Sequence, residues 1–126
     1  MRVWFTALLV ALLGCSGQVP DLDLGVTPPV LRLSPGETGQ LLVILRPQGG
    51  FSGEVYLGLV GKEADTPPPW VSGGGVVVRV RTPYTTADFF VKVETVAPPG
   101  THTLRVLARS GNLVRYASFD LDVSHP

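Results

Sequence analysis

The feature that most limits what this chain can fold into is a two-residue rhythm. Val55, Leu57 and Leu59 share one parity. So do Val76, Val78 and Val80; Phe89, Val91 and Val93; Leu104, Val106 and Ala108; and Phe119, Leu121 and Val123. Their neighbours are mostly polar, among them Glu54, Arg79, Asp88, Lys92, Arg105, Asp120 and Asp122. Side chains alternate across a strand, so this pattern describes strands with one face in a core and one in water. A slip of one residue would carry the charges inward, so the register is strongly specified.

The runs are short and the breaks between them are clear. Val30–Leu33, Gln40–Arg46, Glu54–Val60, Val76–Arg81, Thr86–Val96, Thr101–Arg109 and Leu113–Val123 follow one another. Ser34-Pro35-Gly36, Pro47-Gln48-Gly49-Gly50, Pro98-Pro99-Gly100 and Ser110-Gly111-Asn112 lie between some of them. Glycine and proline are the strongest turn signals. Beyond Pro29 no stretch repeats apolar residues at helical spacing. Seven short strands with frequent turns predict an all-β, Ig-like antiparallel β-sandwich over residues 30–126. Two sheets would bury their apolar faces against one another.

The N-terminus reads as an address. Arg2 supplies a positive charge, and Val3 to Leu13 is almost wholly apolar. A helix of that length rises roughly 16 Å, short of the roughly 30 Å hydrocarbon core. It therefore suits the core of a signal peptide and not a membrane span. The segment ends in Leu12-Leu13-Gly14-Cys15. This resembles the lipobox of bacterial lipoproteins, with Leu13 at the tolerant position. The resemblance implies cleavage after residue 14, acylation of Cys15 and a membrane anchor at the new N-terminus. The single cysteine of the chain falls where that processing needs it. Ser16, by the same resemblance, favours the outer membrane, on its periplasmic or surface side. Residues 15–29, with Gly17, Pro20, Gly25, Pro28 and Pro29, are expected to be an extended tether.

Composition excludes several functions. Ten basic and ten acidic residues balance, so nothing draws nucleic acid. With 44% hydrophobic and 16% charged residues, the chain is not disordered. One cysteine rules out an internal disulfide framework. No G-x-S-x-G or H-E-x-x-H occurs, and Ser124-His125 lies in a terminal tail. Asp120 and Asp122 share one face of a strand and read as solvated charge rather than a calcium loop. No catalytic residue, metal or cofactor is expected, and the chain reads as a non-enzyme.

The order Ser34-Pro35-Gly36, Gly50-Phe51-Ser52-Gly53-Glu54-Val55 and Ala97-Pro98-Pro99-Gly100-Thr101, closing in Leu121-Asp122-Val123, resembles the bacterial Ig-like modules appended to alpha-galactosidases and to many secreted surface proteins. The resemblance covers roughly residues 28 to 124 and implies a spacer, adhesive or docking role without catalytic residues. Where that family writes Pro-Gly-Thr-Tyr, this chain has Pro99-Gly100-Thr101-His102. The tyrosine there resembles the tyrosine corner of Ig-like folds, whose hydroxyl bonds nearby backbone. An imidazole N–H is expected to replace that bond.

One set of apolar residues is out of phase. If Leu41, Val43 and Leu45 point inward, Leu42 and Ile44 point out, and the same parity exposes Phe90 and Val77. In the usual Ig order the first, second, fifth and fourth strands share a sheet. Leu42, Ile44, Val77 and Phe90, with Val30 beside them, would then form one apolar outer face. Such a patch marks a contact site, for an envelope protein or a second copy of the chain. The alternative reading is a carbohydrate-binding lipoprotein that stacks sugars on Tyr56, Trp70, Tyr84 and Tyr116. A third is strand addition at an open sheet edge.

Overall fold

The computed structural model describes residues 19–125. The expected signal peptide and Cys15 lie outside the described residues. Eight strands run along the chain: β1 Asp21–Thr27, β2 Val30–Leu33, β3 Thr38–Gln48, β4 Gly53–Val60, β5 Val71–Val80, β6 Thr85–Val93, β7 Gly100–Ser110 and β8 Leu113–Val123. The all-β sandwich is as expected, with one strand more than the seven read from the sequence.

The extra strand is β1, in the segment expected to be tether. It pairs antiparallel with β3, from Asp21 opposite Gln48 to Thr27 opposite Leu42. Leu22 is buried in the core, and Leu24 and Val26 pack against it. Its alternation, Leu22, Leu24, Val26, is strand-like; the prolines and glycines around it hide it. Pro28 and Pro29 end it, because neither has an N–H to continue a ladder. The chain then crosses to the other sheet, where β2 lies parallel to β8. The folded domain therefore begins at Asp21 and not at Val30.

The strand order is β1-β3-β6-β5-β4-β7-β8-β2. β5 belongs to both layers. Its first residues, Val71 to Gly73, pair with β6 in the first sheet. From Gly74 onward it pairs with β4 in the second sheet, up to Val80 opposite Gly53. The switch has a local cause. Gly74 and Gly75 both have positive φ, at 77° and 75°. The β4–β5 register shifts between Leu57 and Gly58, so Gly75 is an additional residue on β5. Such a bulge bends a strand, and only glycine adopts this backbone without strain. A Cβ on Gly74 would also lie 2.8 Å from the Cα of Gly58 and 2.8 Å from the ring of Phe89.

Between the layers lies one core. Leu41, Val43, Leu45, Phe89, Val91 and Val93 from the first sheet meet Val55, Leu57, Leu104, Val106 and Leu121 from the second, all buried. Burying a side chain of this size contributes roughly 1.5–3 kcal/mol. No polar or charged residue is buried among the described residues.

His102 fills the corner as expected. Its Nε2 donates to the carbonyl oxygen of Pro98 at 2.9 Å, four residues upstream. Its ring leans on Trp70, with centroids 4.6 Å apart at 57°. Trp70 is partly buried against the core and covers that end of it.

Candidate functional site

The crossing of β5 decides which side chains share a surface. On the outer face of the first sheet stand Leu42 and Ile44 from β3 and Phe90 from β6. Phe90 is 52% exposed and Leu42 36%, while Ile44 is half-buried. Two other residues expected on this face are not there. Val77 is 61% exposed but sits opposite Tyr56 on β4, in the second sheet. Val30 sits opposite Asp120 on β8, also in the second sheet. The usual Ig order fails here because β5 changes layer at Gly74–Gly75 and because the Pro28-Pro29 crossing takes β2 to β8.

The remaining face is not a continuous apolar surface. Leu42 is directly opposite Asp88, and Gln40 directly opposite Phe90. The Gln40 amide donates to Asp88 Oδ1 at 2.7 Å along one diagonal of that square. Leu42 and Phe90 occupy the other diagonal. They flank a polar bridge.

The second sheet carries the more elaborate surface. Tyr56, Arg109 and Val114 lie in one row across β4, β7 and β8, and Gly58, Leu107 and Tyr116 in the next. Leu107 points outward yet is buried, which is unusual for an outer face. Tyr56 folds over Gly58, where a Cβ would stand 3.0 Å from its ring. Arg109 lies 5.3 Å from the Tyr56 centroid and Arg105 lies 4.2 Å from that of Tyr116. Both distances are within cation–π range.

Arg105 and Tyr116 also hold the loop between β4 and β5. Arg105 donates from Nε to the carbonyl of Gly61 at 2.7 Å and from Nη2 to that of Ala64 at 3.3 Å. Tyr116 donates its hydroxyl to Asp65 Oδ1 at 3.0 Å, and Arg105 Nη2 lies 3.9 Å from the same oxygen. The Asp65 carboxylate stabilises the neutral phenol, so the Tyr116 hydroxyl titrates above the ordinary tyrosine value; partial desolvation acts the same way.

A groove of about 390 Å³ opens beside this cluster. It forms where β5 leaves β4. The β4–β5 ladder stops at Gly58, so Leu59 and Val60 face no strand on that side. Tyr56, Leu107 and Arg109 stand on one flank, Ser72 and Gly73 of β5 on another, and Asp65 and Pro67 of the loop above.

The four aromatics proposed for sugar stacking do not form one platform. Tyr56 and Tyr116 share the outer face of the second sheet. Trp70 caps the core beside His102, and Tyr84 lies in the β5–β6 turn, exposed. Sequence reasoning did not single out Arg109, Asp65, Leu107 or the glycines of the seam. The available signal was Leu107, an apolar residue in the outward phase of β7. The carboxylates singled out earlier serve the fold: Asp120 accepts from the Thr103 hydroxyl at 2.9 Å, and Asp122 lies 3.7 Å from Arg32.

No family model matches the chain. No curated protein matches it either. Solved structures do resemble it. The E. coli chaperone DraB aligns with a TM-score of 0.59 at 13% identity, covering 83% of this chain and 56% of that one. The periplasmic chaperone SfaE gives 0.55 at 10% identity, covering 81% and 56%. Domains 4 and 5 of the S-layer protein SbsC give 0.52 at 14% identity, covering 85% and 54%. This chain spans about half the length of each. At these identities the likeness shows the fold alone: an Ig-like β-sandwich of the kind found in bacterial chaperones and S-layer domains.

Proposed function

We propose that this chain is a non-catalytic, lipid-anchored module of the bacterial envelope that docks onto another envelope protein. Cys15 would carry the lipid, residues 15–20 would be the spacer left once β1 is counted in the fold, and the outer membrane is the favoured location. The observation that carries the docking role is the outer face of the first sheet. There Phe90 and Leu42 remain exposed on either side of the Gln40–Asp88 bridge. An apolar pair set around a fixed polar bridge offers a partner both buried area and direction. The likeness to chaperone and S-layer domains supports a structural or docking role for such a sandwich.

The test is capture by crosslinking from native membranes, with the full-length protein as bait. A Leu42→Ser/Phe90→Ser variant serves as control, since both side chains are exposed and the fold should survive. A defined partner recovered with the wild type and lost with the folded variant supports the proposal. Equal recovery from both contradicts it. A second copy of the chain as the captured species would make the face a homodimer interface instead. Carbohydrate binding remains the second reading, favoured by Tyr56 and Tyr116 lying on one face.

A further inference from the structure

We propose that the groove at the β4–β5 seam binds a carboxylate-bearing sugar unit. The inference narrows the carbohydrate reading to one site and one ligand chemistry. It is independent of the anchor and of the face formed by Leu42 and Phe90.

The groove exists because β5 leaves β4 at Gly58 and turns to pair with β6. Gly58 leaves room for the Tyr56 ring to lie across β4 and form that flank of the groove. Gly73 lies so close to β6 that a Cβ there would stand 2.5 Å from the carbonyl oxygen of Phe90. The walls are fixed in advance. Arg105 and Tyr116 hold the loop that carries Asp65 and Pro67 through four separate contacts. A preformed site loses little entropy when a ligand enters. A volume of about 390 Å³ lies within the range of small-ligand sites.

The lining holds one cation, Arg109, and one carboxylate, Asp65, which the Tyr116 hydroxyl and Arg105 already engage. Arg109 is exposed and makes no ion pair among the described residues. Arg105, by contrast, is committed to the loop. Arg109 is therefore the one lining cation free to receive a carboxylate, and guanidinium matches carboxylate geometry with two parallel N–H groups. Beside it the Tyr56 ring offers an apolar surface for the C–H face of a pyranose. Ser72 on β5 offers a partner for a hydroxyl. A neutral sugar would make no charge-assisted bond to Arg109. An aliphatic carboxylate would leave the ring and Ser72 unused.

The experiment titrates the detergent-extracted full chain with a galacturonate trimer and with the neutral galactose trimer. The expected result is a severalfold preference for the acidic trimer that added salt weakens, since Arg109 is exposed. Arg109→Gln should abolish that preference, Tyr56→Ala should weaken binding of both trimers, and Leu42→Ser should change neither. Unchanged melting temperatures show that the variants are folded. Equal binding of both trimers, insensitive to Arg109→Gln, would overturn the carboxylate while leaving carbohydrate binding standing. No binding of either trimer would overturn the inference and the carbohydrate reading together, and would leave docking through the first sheet untouched.

Discussion

Arg115 on β8 grips Asp21 at the start of β1 with two N–H groups on one carboxylate oxygen, Nε at 2.9 Å and Nη2 at 2.7 Å. β1 is the edge of the first sheet and β8 belongs to the second, so this pair ties the layers together where the chain enters the domain. The backbone N–H of Leu22 donates to the same oxygen at 2.7 Å. That bond, foremost, holds the Asp21 carboxyl below the usual carboxylate value; desolvation opposes it, and the Arg115 hydrogen bond and charge add to the lowering. A depressed carboxyl stabilises the fold above its unfolded value, and the contribution is lost as pH falls through the folded one. The melting temperature should therefore fall with acidification below about pH 4, and more shallowly in Asp21→Asn than in wild type. Amide exchange should show the Asp21→Asn loss concentrated in β1. An identical pH slope for the two proteins would count against the clamp.

Phe89 and Phe90 are adjacent in sequence and opposite in fate. Phe89 is fully buried in the core, and Phe90 stands in solvent. Phe89→Ala should cost about 3–5 kcal/mol by urea unfolding. Phe90→Ala should fall within about 0.5 kcal/mol of wild type. Comparable losses at the two positions would mean that Phe90 is covered in the protein as it exists.

This pair also shows how far the fold could be read without coordinates. The two-residue rhythm places Phe89 inside and Phe90 outside, because a single strand carries its own parity. What the rhythm does not carry is which strands become neighbours. Val77 has the same outward parity as Phe90, yet β5 leaves β6 at Gly73 and takes Val77 to the side of Tyr56. The Gly73-Gly74-Gly75 run reads simply as a strand opening; its role as a layer switch depends on backbone angles and on the approach of Gly58. Asp21–Thr27 was obscured in a similar way, because its strand periodicity lies between prolines that suggest a linker. The seam groove is still less legible, since its residues come from three strands and a loop.

The layer switch makes its own prediction. Gly75 has open space around its Cα, so Gly75→Ala should suffer only from the positive φ, at roughly 1–2 kcal/mol. Gly74 has a similar φ but no room, with Gly58 and Phe89 both at 2.8 Å from a Cβ. Gly74→Ala should be clearly the more damaging of the two in thermal unfolding. The reverse order would argue against β5 crossing at this point.

The loop lock is open to titration. The chain has three tyrosines, Tyr56, Tyr84 and Tyr116. The Tyr116 hydroxyl titrates above the ordinary tyrosine value because it donates to Asp65. A raised value means that the bond stabilises the fold below the unfolded tyrosine value near 10, and that this is lost as pH climbs through the folded one. Phenolate absorbance should therefore show a late component that disappears in Tyr116→Phe and moves down in Asp65→Asn. A late component that persists in Tyr116→Phe would assign the shift to another tyrosine.

The central claim is that the outer face of the first sheet meets an envelope partner. The most direct measurement places a photo-crosslinking residue at position 90, at 77 or at 84, one at a time, in the full-length protein in living cells. All three positions are exposed. Only position 90 lies on the proposed face. The account predicts a discrete protein adduct from position 90 that Leu42→Ser diminishes, with none of the same size from 77 or 84. No adduct from position 90, or the same adduct from all three, would contradict it.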